Sequence, residues 1–275
     1  MEPAFVTANG LRFGYLAQGT GPLVLLVHGF PDSAWTWDAT ITALAAAGYR
    51  AVAPFTRGYH PTEIPADGDY RTETLARDVL ALIEALGETQ AIVVGHDWGA
   101  VAAYGATALA PERIKMVITL AIPHPASIRP SLGLAWNARH FVTLRRASGG
   151  AKLRANDFAY VDELWRRWSP AWRQVPASET AQAKAALSPP GAAEAAAGYY
   201  KAMGPPPKEL RKKVSVPAVA FAGETDIISP RAYEKARHYF ESSYEVVQVP
   251  GGHFMHREQP EHFIRELVQV IRSST

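Results

Sequence analysis

Residues 95 to 100 read Gly-His-Asp-Trp-Gly-Ala, and the aspartate at their centre, Asp97, is the side chain best placed to do chemistry. A short apolar run, Ala91-Ile92-Val93-Val94, leads in, and a helix-like run, Val101-Ala102-Ala103-Tyr104-Gly105, leads out. A strand, a tight turn between small residues and then a helix together expose one nucleophilic side chain at the end of a sheet. That position usually holds serine, which needs a base to take its proton. A carboxylate, with a pKa of about 4, is already ionised at neutral pH. Its attack on a saturated carbon expels a leaving group and forms an alkyl ester, which water can cleave. Serine attacking the same carbon would leave an ether, which an activated water does not open. Asp97 therefore suits a two-step covalent route, alkyl transfer followed by ester hydrolysis. The plainer reading is that Asp97 only caps the following helix.

The partners of such a nucleophile recur at later strand ends. On this kind of turn the chain order is nucleophile, acid, histidine. Gly223-Glu224-Thr225-Asp226 follows the apolar run Pro217 to Ala222, and Gly251-Gly252-His253-Phe254 follows the run Tyr244 to Val249. Open α/β sheets gather their ligands at the carboxyl ends of strands. His253 is then the base that activates water, and Asp226 the acid that orients it. Glu224 and His256 are the weaker rivals for these two roles. The run Leu23 to Val27 ends at His28-Gly29-Phe30-Pro31. From there the backbone N–H of Phe30, with that of Trp98, would form an oxyanion hole for the Asp97 ester. Its plain alternative is a proline-containing turn.

These residues need a scaffold, and the hydrophobic pattern supplies one. Phe5 to Thr7 and Leu11 to Tyr15 flank Asn9-Gly10, a strong hairpin signal. Leu23 to Val27 is a continuous apolar run, typical of a strand buried on both faces. A helix from Trp37 to Ala47, a strand from Tyr49 to Ala53, a helix from Thr72 to Leu86 and a strand from Ile114 to Ile122 complete the first half. Then the rhythm breaks. Residues 123–214 offer helical patterns, the tryptophans 136, 165, 168 and 172, and an Ala-rich stretch that reads as a helix pair. Alternating strands and helices predict an α/β fold, an eight-stranded, mostly parallel sheet with helices on both faces. The expected division is a core of residues 1–122 and 215–275 with a helical lid of residues 123–214.

Composition excludes several other classes. The chain has 275 residues, 48% of them hydrophobic, and a net charge of +2, with no basic block interleaved with aromatics to suggest a nucleic-acid partner. It has no cysteine, hence neither disulfides nor a thiolate metal site. The N-terminal residues do not form a basic segment followed by a long apolar run, and no stretch is long enough to span a bilayer. A cytoplasmic protein without a membrane partner is expected, as a monomer or homodimer.

Taken together, the motifs resemble the epoxide hydrolase and haloalkane dehalogenase branch of the α/β-hydrolase superfamily. The resemblance rests on His28-Gly29-Phe30-Pro31-Asp32-Ser33 with Trp37, on Trp98 after the aspartate, on Arg57-Gly58-Tyr59, and on Gly252-His253-Phe254 followed by Glu258, Pro260 and Glu261. It covers nearly the whole chain except the middle of the lid. Epoxide hydrolases protonate the opening oxygen with two lid tyrosines. Ala197-Gly198-Tyr199-Tyr200-Lys201 resembles the segment that supplies the second, and the match falls on Tyr200; plain helix packing is the bland reading. Where the first tyrosine is expected, this chain reads Trp136-Asn137-Ala138-Arg139-His140-Phe141. His140, or less readily Asn137, would replace it, as in branch members that use a His–Tyr pair.

The resemblance thus implies an epoxide hydrolase that needs no cofactor and no metal, with a small hydrophobic epoxide and water as reactants. Trp136, Tyr199 and Pro31 are the candidate substrate contacts. A haloalkane dehalogenase is the rival, with Trp98 as one halide donor and a lid tryptophan such as Trp136 as the other. Phe30 occupies the position where a second donor, asparagine, is often found. A catalytically silent binding module is the remaining alternative, and the intact set of nucleophile, acid and histidine argues against it.

Overall fold

The computed structural model describes residues 1–129, 132–205, 208 and 212–273. One eight-stranded sheet organises them: β1 Ala4–Ala8, β2 Leu11–Gln18, β3 Leu23–Val27, β4 Arg50–Pro54, β5 Ala91–His96, β6 Ile114–Leu120, β7 Ala218–Gly223 and β8 Tyr244–Val249. Their spatial order is β1-β2-β4-β3-β5-β6-β7-β8. β2 runs antiparallel to β1 and β4, and every other pairing is parallel. The expected hairpin forms because Asn9 and Gly10 both take positive φ, +44° and +78°, which a tight two-residue turn requires.

β3, β5 and β7 are buried along their whole length, as strands covered on both faces must be. The cover comes from α1 Asp38–Ala46, α2 Thr72–Ala85, α3 Trp98–Leu109 and, at the chain's end, α11 Pro260–Arg272. α11 buries Phe263, Leu267, Val270 and Ile271, a spacing that sets all four on one helical face. Fully burying one such side chain contributes about 1.5–3 kcal/mol. Most element ends fall within a few residues of the pattern-based reading, and two of the shifts bear on the site. β5 continues to His96, so Asp97 stands directly at its end, and β6 stops at Leu120 because Ala121 turns out of the sheet with φ +66°.

Between β6 and β7 lie α4 Leu132–Asn137, α5 His140–Arg145, α6 Gly149–Trp168, α7 Ala177–Leu187 and α8 Ala192–Ala202. No strand interrupts them among the described residues, and the Ala-rich stretch is the pair α7 and α8. Two short helices, α9 Pro230–Lys235 and α10 Met255–Glu258, complete the set. The insertion sits on the carboxyl ends of the strands through specific bonds. Trp165 donates its indole N–H to the Pro31 carbonyl at 2.9 Å and stacks on Phe254 at 3.7 Å. Tyr199 donates its hydroxyl to the Arg57 carbonyl at 2.7 Å. Among the described residues, no helix is long and apolar enough to cross a membrane.

Candidate active site

Asp97 lies in the turn between β5 and α3 with φ +51° and ψ −114°, a conformation a non-glycine residue rarely adopts. Such strain costs about 1–3 kcal/mol and persists only where the surroundings enforce it. Here they do. A Cβ on Gly95 would stand 2.3 Å from the Gly99 carbonyl oxygen, and one on Gly99 would stand 2.1 Å from that of Val27. Only small residues let β5, the turn and β3 approach this closely, and the approach projects the Asp97 carboxylate beyond the sheet.

Two of its neighbours were expected from the motifs. Phe30 donates its backbone N–H to Asp97 Oδ1 at 2.9 Å. His253 places Nε2 3.6 Å from Asp97 Oδ2 and Nδ1 3.0 Å from Asp226 Oδ1. Burial opposes the Asp97 charge, yet the facing imidazole and the Phe30 N–H hold its carboxyl below the usual carboxylate range. Burial also opposes a charge on His253, but the two carboxylates outweigh it and push the imidazole up to about 10. Burial raises the Asp226 carboxyl, against the pull of the same imidazole in the other direction. Of the two rivals, Glu224 is exposed, and His256 turns away to bond Thr36 Oγ1 at 2.7 Å. The described contacts include no bond from the Trp98 amide to the Asp97 carboxylate; the Trp98 ring instead lines the cavity beside it.

That cavity holds about 360 Å³, with Asp97, Trp98, His140, Trp168, Tyr200 and His253 among its lining residues. Its remaining walls are chiefly apolar, from Val101, Ile122, Ile128, Phe141, Met203, Ile227 and Ile228. Tyr200 is buried, and that burial, reinforced by the Asp97 charge, keeps its phenol well above 10 and so protonated at neutral pH. His140 is also buried, and desolvation pushes it down to about 3, so its ring is neutral. Its Nδ1 lies 3.3 Å from the Asn137 carbonyl. A carbonyl only accepts, so this contact assigns the hydrogen to Nδ1 and leaves Nε2 an acceptor. In that tautomer the His140 ring carries no hydrogen on Nε2. Asn137 spends its own side chain on the Ile227 carbonyl at 3.2 Å.

The three candidate substrate contacts lie elsewhere. Trp136 is 68% exposed and stacks on the Arg139 guanidinium at 4.6 Å, because α4 turns that face to solvent. Tyr199 is committed to the Arg57 carbonyl, and Pro31 to the Trp165 indole, so both fasten the insertion to the sheet and neither lines the cavity. Trp168 was named in the sequence only as one of several tryptophans, yet its ring lies 4.9 Å from that of His253 and its carbonyl accepts the His253 N–H at 2.9 Å. Helical periodicity marks Trp168 as core and carries no signal of that neighbour.

Among the described residues, one group of side chains gathers metal-capable atoms: Asp32, His96 and His256, all buried, with the atoms within 4.8 Å of one another.

A family model described as alpha/beta hydrolase fold matches residues 22–260. The AB hydrolase superfamily protein YfhM of Bacillus subtilis (strain 168) is 31% identical over 274 residues, covering 94% of this chain and 91% of that protein. An epoxide hydrolase of Caballeronia sordidicola is 43% identical over 119 residues, which are 43% of this chain and 36% of that relative, so the match spans little more than a third of its length. A solved Bacillus megaterium epoxide hydrolase, in complex with an inhibitor, superposes with a TM-score of 0.85 at 21% identity, covering 98% of this chain and 99% of that one. At that identity the likeness speaks for the fold.

Proposed function

This chain belongs to the alpha/beta hydrolase fold family, and on that premise we propose that it is an epoxide hydrolase, opening an epoxide to a vicinal diol through an ester on Asp97. The observation that carries the proposal is one cavity that joins an ionised elbow carboxylate, a facing imidazole and a protonated phenol. Named epoxide hydrolases among the relatives agree with it.

In the first step Phe30 holds Oδ1, which leaves Oδ2 to attack a ring carbon. The carbon–oxygen bond breaks, its electron pair stays on the oxygen, and the oxygen takes the phenol proton of Tyr200. General acid help of this kind contributes typically 10²–10⁴-fold. Esterification removes the Asp97 charge. One of the two carboxylates that raise the His253 pKa is then gone, and the imidazole can lose its proton. That proton balances the one given by Tyr200.

In the second step neutral His253, oriented by Asp226, takes a proton from water as the water attacks the ester carbonyl carbon. The Phe30 N–H stabilises the oxygen charge that develops. Collapse releases the alkyl oxygen, which takes the proton from His253; the Asp97 carboxyl then passes its own proton to His253, restoring the starting pair, and the diol leaves. We read the helical segment 123–214 as the lid that carries Tyr200 and closes the apolar wall.

The test is a covalent trap. In His253→Ala, styrene oxide should add its full mass to the intact protein, on the peptide that contains Asp97. The folded native protein should turn over styrene oxide and leave 1-bromobutane untouched. A folded variant that gains no mass from any epoxide, or a native protein that consumes only the haloalkane, would overturn the proposal.

A further inference from the structure

Asp32, His96 and His256 are buried polar residues with no part in the chemistry above, and their places in the chain are unusual. Asp32 lies two residues after the oxyanion donor Phe30, His96 immediately before the nucleophile, and His256 three residues after the base. One small cluster thus touches all three segments that must be aligned.

We infer that His96 is a positioning residue for the base: through the His253 carbonyl it fixes the separation between Asp97 and the His253 ring. The inference rests on the epoxide hydrolase reading and adds a residue to it. His96 Nε2 lies 3.0 Å from the His253 carbonyl oxygen, and because that oxygen can only accept, Nε2 carries the hydrogen. The His96 and His253 rings meet edge to face, with centroids 4.9 Å apart. His253 is therefore tethered at three points: its N–H on the Trp168 carbonyl, its Nδ1 on Asp226 and its carbonyl on His96. Only the last tether runs to the residue bonded to Asp97. It spans the two sides of the 3.6 Å separation between base and nucleophile.

The remaining cluster members hold the His96 ring in place. His256 packs against it with centroids 4.7 Å apart, and His256 Nε2 is bonded to Thr36 Oγ1 at 2.7 Å. Trp37 stacks on His256 with centroids 4.8 Å apart. Asp32 Oδ2 lies 4.0 Å from His256 Nε2, while Oδ1 accepts the Ser33 N–H at 2.8 Å. Burial keeps His96 neutral, which suits a residue that donates one hydrogen bond and must not repel an imidazolium beside it.

Chemistry separates positioning from mere support, because the base acts in the second step and the nucleophile in the first. His96→Leu removes the hydrogen-bond donor; His96→Gln places an amide N–H within reach of the same carbonyl; His96→Asn carries the same amide on a shorter arm. Each would be mixed with styrene oxide under single-turnover conditions, quenched in time and weighed. A misplacement approaching 1 Å costs about 10²-fold, so ester hydrolysis in His96→Leu should slow on the order of tenfold or more. Formation of the ester should stay within roughly twofold of native, and the alkylated protein should accumulate. His96→Gln should restore hydrolysis, and His96→Asn should not. If His96→Leu does not fold, the Gln and Asn pair carries the same contrast. Equal loss in both steps, or hydrolysis equally slow in Gln and Asn, overturns the inference. His253→Ala run alongside separates the two claims: if it traps ester while every His96 variant hydrolyses normally, only the positioning role falls, and if no protein ever forms ester, the reading beneath it falls as well.

Discussion

His253 Nε2 stands 3.6 Å from Asp97 Oδ2, so each of the two groups sets the charge of the other. Asp226 first and Asp97 with it push the imidazole up to about 10, and with His253 charged the Asp97 carboxyl is held down. Removing the negative neighbour favours the neutral ring. His253 in Asp97→Asn should therefore titrate below its native value, as followed by NMR of the imidazole nitrogens. The same sign governs catalysis. Hydrolysis of the ester, where Asp97 carries no charge, should speed up with rising pH through a midpoint below 10, because the base must be deprotonated. An unchanged titration in Asp97→Asn would refute the coupling.

The adjacent tyrosines should separate cleanly by substitution. Tyr200 lines the cavity with Asp97, whereas Tyr199 spends its hydroxyl on the Arg57 carbonyl. Tyr200→Phe should lower the rate of ester formation by about 10²-fold or more, as loss of a general acid does, and leave hydrolysis of a preformed ester alone. Tyr199→Phe should retain activity and lose about 1 kcal/mol of stability, the net worth of one hydrogen bond. Rapid-quench kinetics and urea melts report the two effects independently. Parallel losses of activity in both variants would remove Tyr200 from the donor role.

The contrast between these neighbours also marks the limit of what sequence patterns convey. The strands, and the meeting of Asp97, Asp226 and His253 at their ends, were legible because apolar runs, small residues and strand ends follow from backbone sterics. The insertion was legible as helix but not as surface. Which residue of α4, α5 or α8 faces the cavity depends on how those helices lie across the sheet, and no local period records that. Trp136 was accordingly expected at the substrate and is exposed, while Trp168, with the same composition signal, packs at a tilt against the His253 ring. The tautomer of His140 was equally out of reach, since it depends on one carbonyl, that of Asn137, supplied by the turn before α5.

That reversal can be checked directly. Trp136→Ala removes an exposed ring that lies under the Arg139 guanidinium, so turnover should be unchanged and stability should move by no more than about 0.5 kcal/mol, as for ordinary surface sites. Trp168→Ala should slow ester hydrolysis and destabilise the fold by about 3–5 kcal/mol, as expected when a buried aromatic is truncated. Steady-state rates and denaturant midpoints for the pair test the assignment, and a large rise in KM for Trp136→Ala would return that residue to the substrate.

Arg57 makes a different kind of claim, about the scaffold rather than the chemistry. Its Nε and Nη2 each lie 2.7 Å from a separate oxygen of Asp78, and Asn9 Nδ2 adds a bond at 2.6 Å, so the loop after β4, helix α2 and the first hairpin meet at one buried carboxylate. Both side chains are almost wholly out of water, 4% and 7% exposed. Asp78→Ala would leave a guanidinium buried without its counter-charge, and the expected loss is about 3–5 kcal/mol. Removing Glu163 from its pair with Arg167, where the carboxylate is 47% exposed, should cost at most about 1 kcal/mol. Chemical denaturation of the two variants should therefore differ by several-fold in effect, and equal midpoints would mean that the Asp78 carboxylate is not a structural hub.

The closest approach in the site yields the sharpest steric test. Gly29 has no side chain because Asp97 occupies the space: a Cβ there would stand 2.5 Å from Asp97 Cβ, 2.6 Å from Asp97 Oδ1 and 2.6 Å from the His96 carbonyl oxygen. Contacts this short cannot be borne, and two of the three obstacles belong to Asp97. The third is backbone in the strand that carries it. Rotating the Asp97 side chain would move Oδ1 alone, and the β3 and β5 ladders lock the strand that carries Asp97 Cβ and the His96 carbonyl, so the turn after β3 has to shift and carry the Phe30 N–H away from the carboxylate. Gly29→Ala should therefore fold, with stability reduced by about 1–3 kcal/mol as in other overpacked sites, and lose both steps of the reaction. Ester formation should fall with a carboxylate that the Phe30 N–H no longer holds, and any ester that does form should hydrolyse slowly without its oxyanion donor. A variant that keeps native rates in both steps would mean that the Phe30 bond does not matter to catalysis.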